Sequence, residues 1–261
     1  MRYHRADMRA DRTVVARAAA LQSWYRRPLG CVLAEAEQAA LAQQLSLLFG
    51  YHLVVIDPPW DSCPLEESRI PHRVIQRVLP DSCADSRISA NPERWPLQTD
   101  SIDAIILPHT LELASNPHQV LREADRCLIA DGHLVILGFN PFSVWGLRGL
   151  LSRRSNRLPW GSRFRSVHRV KDWLELLGFD TLHTQYLFQR PPLQGRRTLQ
   201  RLQFMEPQDG KGWMLLSAGY ILVARKRTLV MTPLHATQRS QKRLFPVGIP
   251  SSSQGNVRRT G

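Results

Sequence analysis

The sequence predicts an α/β protein built on a parallel sheet with helices on both faces. Three observations lead there. Short apolar runs of strand length recur along the chain: "YHLVVI" (51–56), "HRVIQRVL" (72–79), "SIDAIIL" (101–107) and "HLVILGF" (133–139). The last two are separated by a capped amphipathic helix. The links are short, as alternating strand–helix units require. In such sheets ligands bind outside the carboxyl ends of the strands.

The elements follow in order. Residues 1–13 are polar and expected to fray, with Met8 a second candidate start. Val14–Phe49 has a helical pattern, and the Ala/Leu/Gln/Glu-rich "AEAEQAALAQQLSLLFG" ends at Gly50, a reasonable stop. "YHLVVI" is the first strand, the turn-rich "DPPWDSCPLEES" follows it, and "HRVIQRVL", "SRISA" and "SIDAIIL" are strands two to four. Asn116 suits an N-cap and Pro117 the first helical position. Leu121, Ala124 and Leu128 share a face of that helix, Arg126 complements its last turn, and Gly132 is expected to end it. "HLVILGF" is the fifth strand, "SVHRVKDWLELLGF" a helix ending at Gly178, and "DTLHTQYLF" and "GYILVARKR" close the sheet.

The chain has 261 residues, a net charge of +13 and 43% hydrophobic residues, which suits one domain with a full core or a domain with extensions. The charge favours anionic partners: RNA, DNA, phospholipid headgroups or acidic proteins; a merely solvated basic surface explains it equally well. The cysteines at 31, 63, 83 and 127 lack zinc or redox spacing and fit reduced cytosolic thiols. The N-terminus lacks the apolar core of a signal peptide, and no apolar stretch approaches the roughly 20 residues of a membrane span. A cytoplasmic protein, at most peripheral to a membrane, is expected.

Pro141–Lys171 holds seven arginines and no acidic residue, with Trp145, Trp160 and Phe164 interleaved. This segment could grip nucleic acid or another polyanion, or simply pack its aromatics and solvate its arginines. From Met231 on, the chain is polar and basic, and too poor in apolar residues to fold alone.

The block Asn91–Asn140, with "RWPL", "SID", "NPHQVLREADRCL", "DG" and "HLVI", resembles the second half of a class I methyltransferase of the type 11 branch. "FGYHL", "GFNP" and "LVARKR" extend the resemblance to a bacterial subgroup, over roughly 22–235. It implies a Rossmann-like, mostly parallel seven-stranded sheet, S-adenosylmethionine as cofactor and a methyl acceptor that the sequence does not name. The domains expected are a helical extension (1–49), a methyltransferase domain (50–230) with a basic insertion (141–171), and a disordered basic tail (231–261).

The resemblance places the glycine-rich cofactor loop after the first strand, where "DPPWDSC" has no glycine. "DPPW" is also the signature of adenine-N6 methyltransferases, but in the unpermuted order that tetrapeptide belongs after strand four. A degenerate cofactor loop is the favoured reading. The cofactor residues implied are Asp57, Asp81, Asn91, Pro92, Glu93 and Pro108. Asp57 could equally be a turn residue, Asp81 reads rather as a turn residue beside Pro80, and Asp103 is expected to be structural. His109 and Glu112, at the carboxyl end of strand four, are the catalytic candidates, His109 as a general base or a substrate-orienting group. Asn140 and Trp145 are the substrate candidates, Asn140 alternatively making an Asx turn before Pro141. The competing function is a methyltransferase fold that has lost turnover and serves as an RNA- or protein-binding module.

Overall fold

Pro28 breaks the N-terminal helical pattern in two: α1 spans Arg2–Tyr25 and α2 spans Pro28–Leu45. A computed structural model describes residues 2–77, 87–89, 93–151, 163–191 and 216–227; for 2–12, 87–89 and 149–151 it is the backbone that is described. Met1–Thr228 form one compact unit. Helix α1 runs back to Arg2, through the residues expected to fray. The corner between the helices needs a glycine. A Cβ on Gly30 would lie 2.4 Å from the Trp24 carbonyl oxygen and 2.6 Å from Tyr25 Cα.

Helix α2 stops at Leu45, five residues before Gly50. Gly50 has a different task. Its φ is +145°, and a Cβ there would sit 2.3 Å from Asp103 Cβ. That close approach lets Asp103 Oδ2 accept from the backbone N–H groups of Tyr51 (3.0 Å) and His52 (2.9 Å), fixing the start of the first strand. Asp103 is structural, as expected.

Strand β1 (His52–Ile56) pairs in parallel with β2 (His72–Arg77) and with β4 (Ile102–Pro108). β5 (Leu128–Phe139) runs parallel to β4, and β7 (Gly219–Lys226) is inserted antiparallel between β5 and β6 (Phe179–Leu187). These six strands form the body of the sheet; the three-residue β3 (Arg87–Ser89) flanks β2, giving the order β3-β2-β1-β4-β5-β7-β6.

Side chains alternate between two cores, as strand geometry dictates. Leu53, Val55, Ala104, Ile106, Val135 and Ile221 face α1 and α2. Val54, Ile56, Ile105, Leu107, Leu134 and Leu222 face the two helices α4 (Pro117–Cys127) and α6 (Val167–Leu176). Helices therefore cover both faces, as expected for the class. Residues 1–49 are not a separate extension, because Leu21, Trp24, Leu33, Leu41 and Leu45 belong to the first core. The reason is the link from β1 to β2. It contains only a short 3-10 turn, Leu65–Glu67, so α1 and α2 cover a face that a crossover helix would otherwise take.

Asn116 caps α4 as expected, its Oδ1 accepting from Gln119 N–H at 3.3 Å. Gly132 does not end that helix. α4 stops at Cys127, and the β4–β5 register jumps from Ile102↔Leu128 to Ala104↔His133. The residues skipped include Asp131, which takes the left-handed conformation (φ 61°). α6 ends at Gly178, φ +83°, as the sequence predicts. Two short helices follow strand ends: α3 (Thr110–Leu113) after β4 and α5 (Val144–Leu151) after β5. Part of the basic insertion and the whole 231–261 tail lie outside the described residues. Among the described helices none is long and apolar enough to cross a membrane.

Candidate functional site

β4 delivers His109 to the carboxyl end of the sheet in a left-handed conformation (φ 56°, ψ 8°). Such a conformation costs a non-glycine residue on the order of 1 kcal/mol and persists only when its surroundings fix it. Here they do. The His109 N–H donates to the Leu137 carbonyl at 2.9 Å, and both ring nitrogens meet carboxylates. His109 Nδ1 lies 3.1 Å from Glu112 Oε2, and Nε2 lies 3.0 Å from Glu37 Oε1. All three side chains are buried.

The chain of contacts extends outward from Glu37. Its Oε2 accepts from the Tyr25 hydroxyl (2.8 Å) and from Trp60 Nε1 (3.2 Å). The Tyr25 oxygen also lies 2.8 Å from His109 Nε2. Inward, Glu112 Oε1 accepts from Phe139 N–H at 2.5 Å, and the Phe139 ring lies 4.2 Å from the His109 ring. α1, α2, β4, α3, β5 and the segment after β1 all contribute.

These contacts set the protonation. Burial alone would push the His109 ring down, but the Glu37 and Glu112 carboxylates outweigh it and hold the ring up at about 10. The ring is thus a cation at neutral pH and donates from both nitrogens. With both nitrogens facing carboxylates, the arrangement favours the orienting role that the sequence also allowed over that of a base. Burial raises the Glu112 carboxyl, opposed by its bonds to His109 and Phe139. Burial and the Glu37 charge raise the Tyr25 phenol well above its usual value.

The outer end of the cluster walls a groove of about 350 Å³, lined by Tyr25, Cys31, Glu35, Gln38, Pro59 and Trp60 among others. Asp57–Trp60 follow β1 directly and are buried. Asp57 is left-handed (φ 46°), and its N–H donates to the Gln76 carbonyl at 2.6 Å. Arg77 braces the segment through the carbonyls of Pro58 (3.3 Å) and Trp60 (3.1 Å). Beside it, the buried Gln76 side-chain amide has neither its oxygen nor its nitrogen paired.

The other sequence-predicted residues separate. Asp81, Asn91 and Pro92 lie outside the described residues. Pro108 is buried beside His109. Glu93 Oε1 accepts from Asn116 N–H at 2.8 Å, at the start of α4. Asn140 is buried in the Asx turn that the alternative reading expected: Oδ1 accepts from Phe142 N–H (3.1 Å), and Nδ2 donates to the Ser217 carbonyl (3.2 Å). Trp145 is fully buried, its Nε1 donating to the Arg190 carbonyl at 2.8 Å. Cys31, Cys63 and Cys127 are free thiols.

Residues 32–136 match the family model described as a methyltransferase domain. The Escherichia coli (strain K12) protein YafS, described as uncharacterised, is 32% identical over 231 residues, covering 86% of this chain and 87% of that protein. The chain belongs to the type 11 branch of the class I methyltransferases. Its fold is shared with a SAM-dependent methyltransferase from Thermotoga maritima (TM-score 0.54, 18% identity, 75% of this chain and 92% of that one). It is also shared with one from Archaeoglobus fulgidus (TM-score 0.52, 14% identity, 72% and 92%).

Membership implies S-adenosylmethionine as the methyl donor, and the described residues fit it at two places. Gln76 offers an unpaired amide at the carboxyl end of β2, where Rossmann-type sheets bind a ribose. The groove is of ligand size and is separated from the carboxylates by one layer of side chains, Tyr25 and Trp60. The methyltransferase motifs themselves turn out to be braces. Arg126 of "LREADR" donates to the carbonyls of Trp95 (3.2 Å) and Leu97 (2.9 Å) in "RWPL", and to Glu123 at 2.8 Å. Sequence reasoning missed Tyr25, Glu37, Trp60 as a cluster member, and Gln76. Glu37 carried a signal: it interrupts the Leu33–Leu41–Leu45 stripe at four-residue spacing, and a carboxylate on an apolar stripe needs a partner.

Proposed function

We propose that this methyltransferase transfers a methyl group at the outer end of the Tyr25–Glu37–His109–Glu112 chain, with the groove beside Trp60 as the binding site. The observation that carries the reading is the pair of buried carboxylates on one histidine, joined to the groove through Tyr25 and Trp60. When bound, S-adenosylmethionine supplies an electrophilic methyl on a cationic sulfonium. Gln76, Asp57 and Pro108 are the residues proposed to hold it, and the carboxylates favour its positive charge. An acceptor hydroxyl or amine loses a proton as it gains the methyl. Tyr25 Oη takes that proton while handing its own to Glu37, a relay its 2.8 Å bond permits. His109 stays protonated and holds both carboxylates in place.

The test needs no knowledge of the acceptor. Calorimetry on the full chain compares S-adenosylmethionine with S-adenosylhomocysteine, which lacks the sulfonium charge. The wild type is expected to prefer the charged ligand, and Glu37→Gln to lose that preference. No binding of either at millimolar concentration refutes the reading.

A further inference from the structure

We infer that His52 and His72 form a two-imidazole site for a divalent transition-metal ion of the copper, nickel and zinc group. The two residues open β1 and β2 and stand directly opposite each other in the parallel register. Here their side chains meet. His52 Nδ1 lies 2.9 Å from His72 Nδ1, with the ring planes at 85°. Both residues are exposed to solvent. Strands β1, β2 and β4 are parallel, so the pair sits at the amino end of the sheet, opposite the carboxyl end that carries His109. The inference does not depend on how that site works.

The backbone beneath both rings is fixed. His52 N–H donates to Asp103 Oδ2 at 2.9 Å, and His72 N–H donates to the Tyr51 carbonyl at 3.1 Å. Little ordering is left for an incoming ion to impose. The spacing also suits one. Imidazole nitrogens bind such ions at about 2.0–2.1 Å, so two in adjacent square-planar or tetrahedral positions are roughly 2.9–3.3 Å apart. The observed separation lies at the short end of that range, and a small pivot of the rings admits the ion. Without metal, one ring must donate and the other accept, a bond that water would replace equally well at an exposed position. A metal ion engages both lone pairs and releases that proton. The ligand type selects the ion: neutral imidazole suits copper, nickel and zinc, whereas calcium and magnesium take oxygen. Among the described residues no group of three metal-ligating His, Cys, Asp or Glu side chains occurs, so water completes the coordination. With geometry imposing so little, affinity should follow the general order of these ions, in which Cu²⁺ binds tightest.

Calorimetric titration of the full chain with CuCl₂, NiCl₂, ZnCl₂ and MgCl₂ tests it, beside the variants His52→Ala and His72→Ala. Both substitutions are at exposed positions, and thermal melting without metal checks that the variants fold. The wild type is expected to bind Cu²⁺ more tightly than Ni²⁺ or Zn²⁺, and Mg²⁺ not at all. Each variant is expected to lose at least about tenfold in Cu²⁺ affinity, since one of two ligands is gone. Cys31 is an exposed thiol in all three proteins, and electron paramagnetic resonance of the Cu²⁺ form separates it from the pair. Hyperfine coupling to two imidazole nitrogens is expected in the wild type and absent from both variants. No Cu²⁺ binding by the wild type overturns the inference. So does affinity that either variant retains, a wild-type spectrum without nitrogen coupling, or Mg²⁺ binding as tight as Cu²⁺.

Discussion

Glu37→Gln tests whether the buried chain is held by charge. In the wild type, Glu37 Oε2 accepts from Tyr25 and Trp60 and Oε1 faces His109 Nε2. A glutamine that keeps its oxygen toward Tyr25 and Trp60 turns an N–H toward His109 Nε2, which must then lose its proton. Removing one partner of a buried pair typically costs about 3–5 kcal/mol. Linkage gives a similar figure, because a ring raised from 6.5 to about 10 gains on the order of 5 kcal/mol over its unfolded state. At roughly 2–4 °C per kcal/mol for a chain of this size, the melting temperature should fall by about 10 °C. The pH dependence has a definite sign. The folded pKa is above the unfolded one, so this stabilisation is complete below pH 6.5 and is lost as pH rises through about 10. The gap between wild type and variant should therefore be widest in mild acid and close toward pH 10. Thermal melts across that range, with the His109 ring followed by NMR, supply both readouts. A gap under about 0.5 kcal/mol at pH 6, typical of a surface change, would refute the reasoning.

Gln76→Ala should weaken S-adenosylmethionine binding by roughly 3- to 10-fold in calorimetry, the worth of one hydrogen bond, with little change in melting because the amide is unpaired. Trp60→Ala removes a buried indole and a donor to Glu37; about 3–5 kcal/mol of stability should be lost by denaturant titration. Asp103→Ala should cost about 2 kcal/mol by the same measurement, since its carboxylate holds two backbone N–H groups. Asn116→Ala should cost about 1 kcal/mol as a lost cap.

Much of the frame was legible because its signals are local. Asn116–Pro117, the apolar strand runs and Gly178 each act within a few residues. Gly132 misled because the turn after α4 is closed by Asp131 in the left-handed region, a conformation aspartate tolerates without announcing it. His109 and Glu112 were found because strand four ends there. Their partners were not, since Glu37 lies 72 residues and Tyr25 84 residues from His109 in sequence. "DPPW" was legible only in part. Its tryptophan is there for Glu37 and for packing against Tyr25, at 6.5 Å between ring centroids, and nothing in a tetrapeptide records a contact with an earlier helix.

The insertion of β7 between β5 and β6 has a consequence for synthesis. Residues 219–226 are among the last of the compact unit to leave the ribosome, yet they join β6 to the rest of the sheet. Until they emerge, β5 and β6 each offer an open edge, and α1 and α2, made first, lack Ile221 and Val223 in the core they cover. The first helices must therefore wait for the last strand. A chain stalled short of residue 219 would carry two unpaired strand edges, the kind of species that aggregates or recruits chaperones.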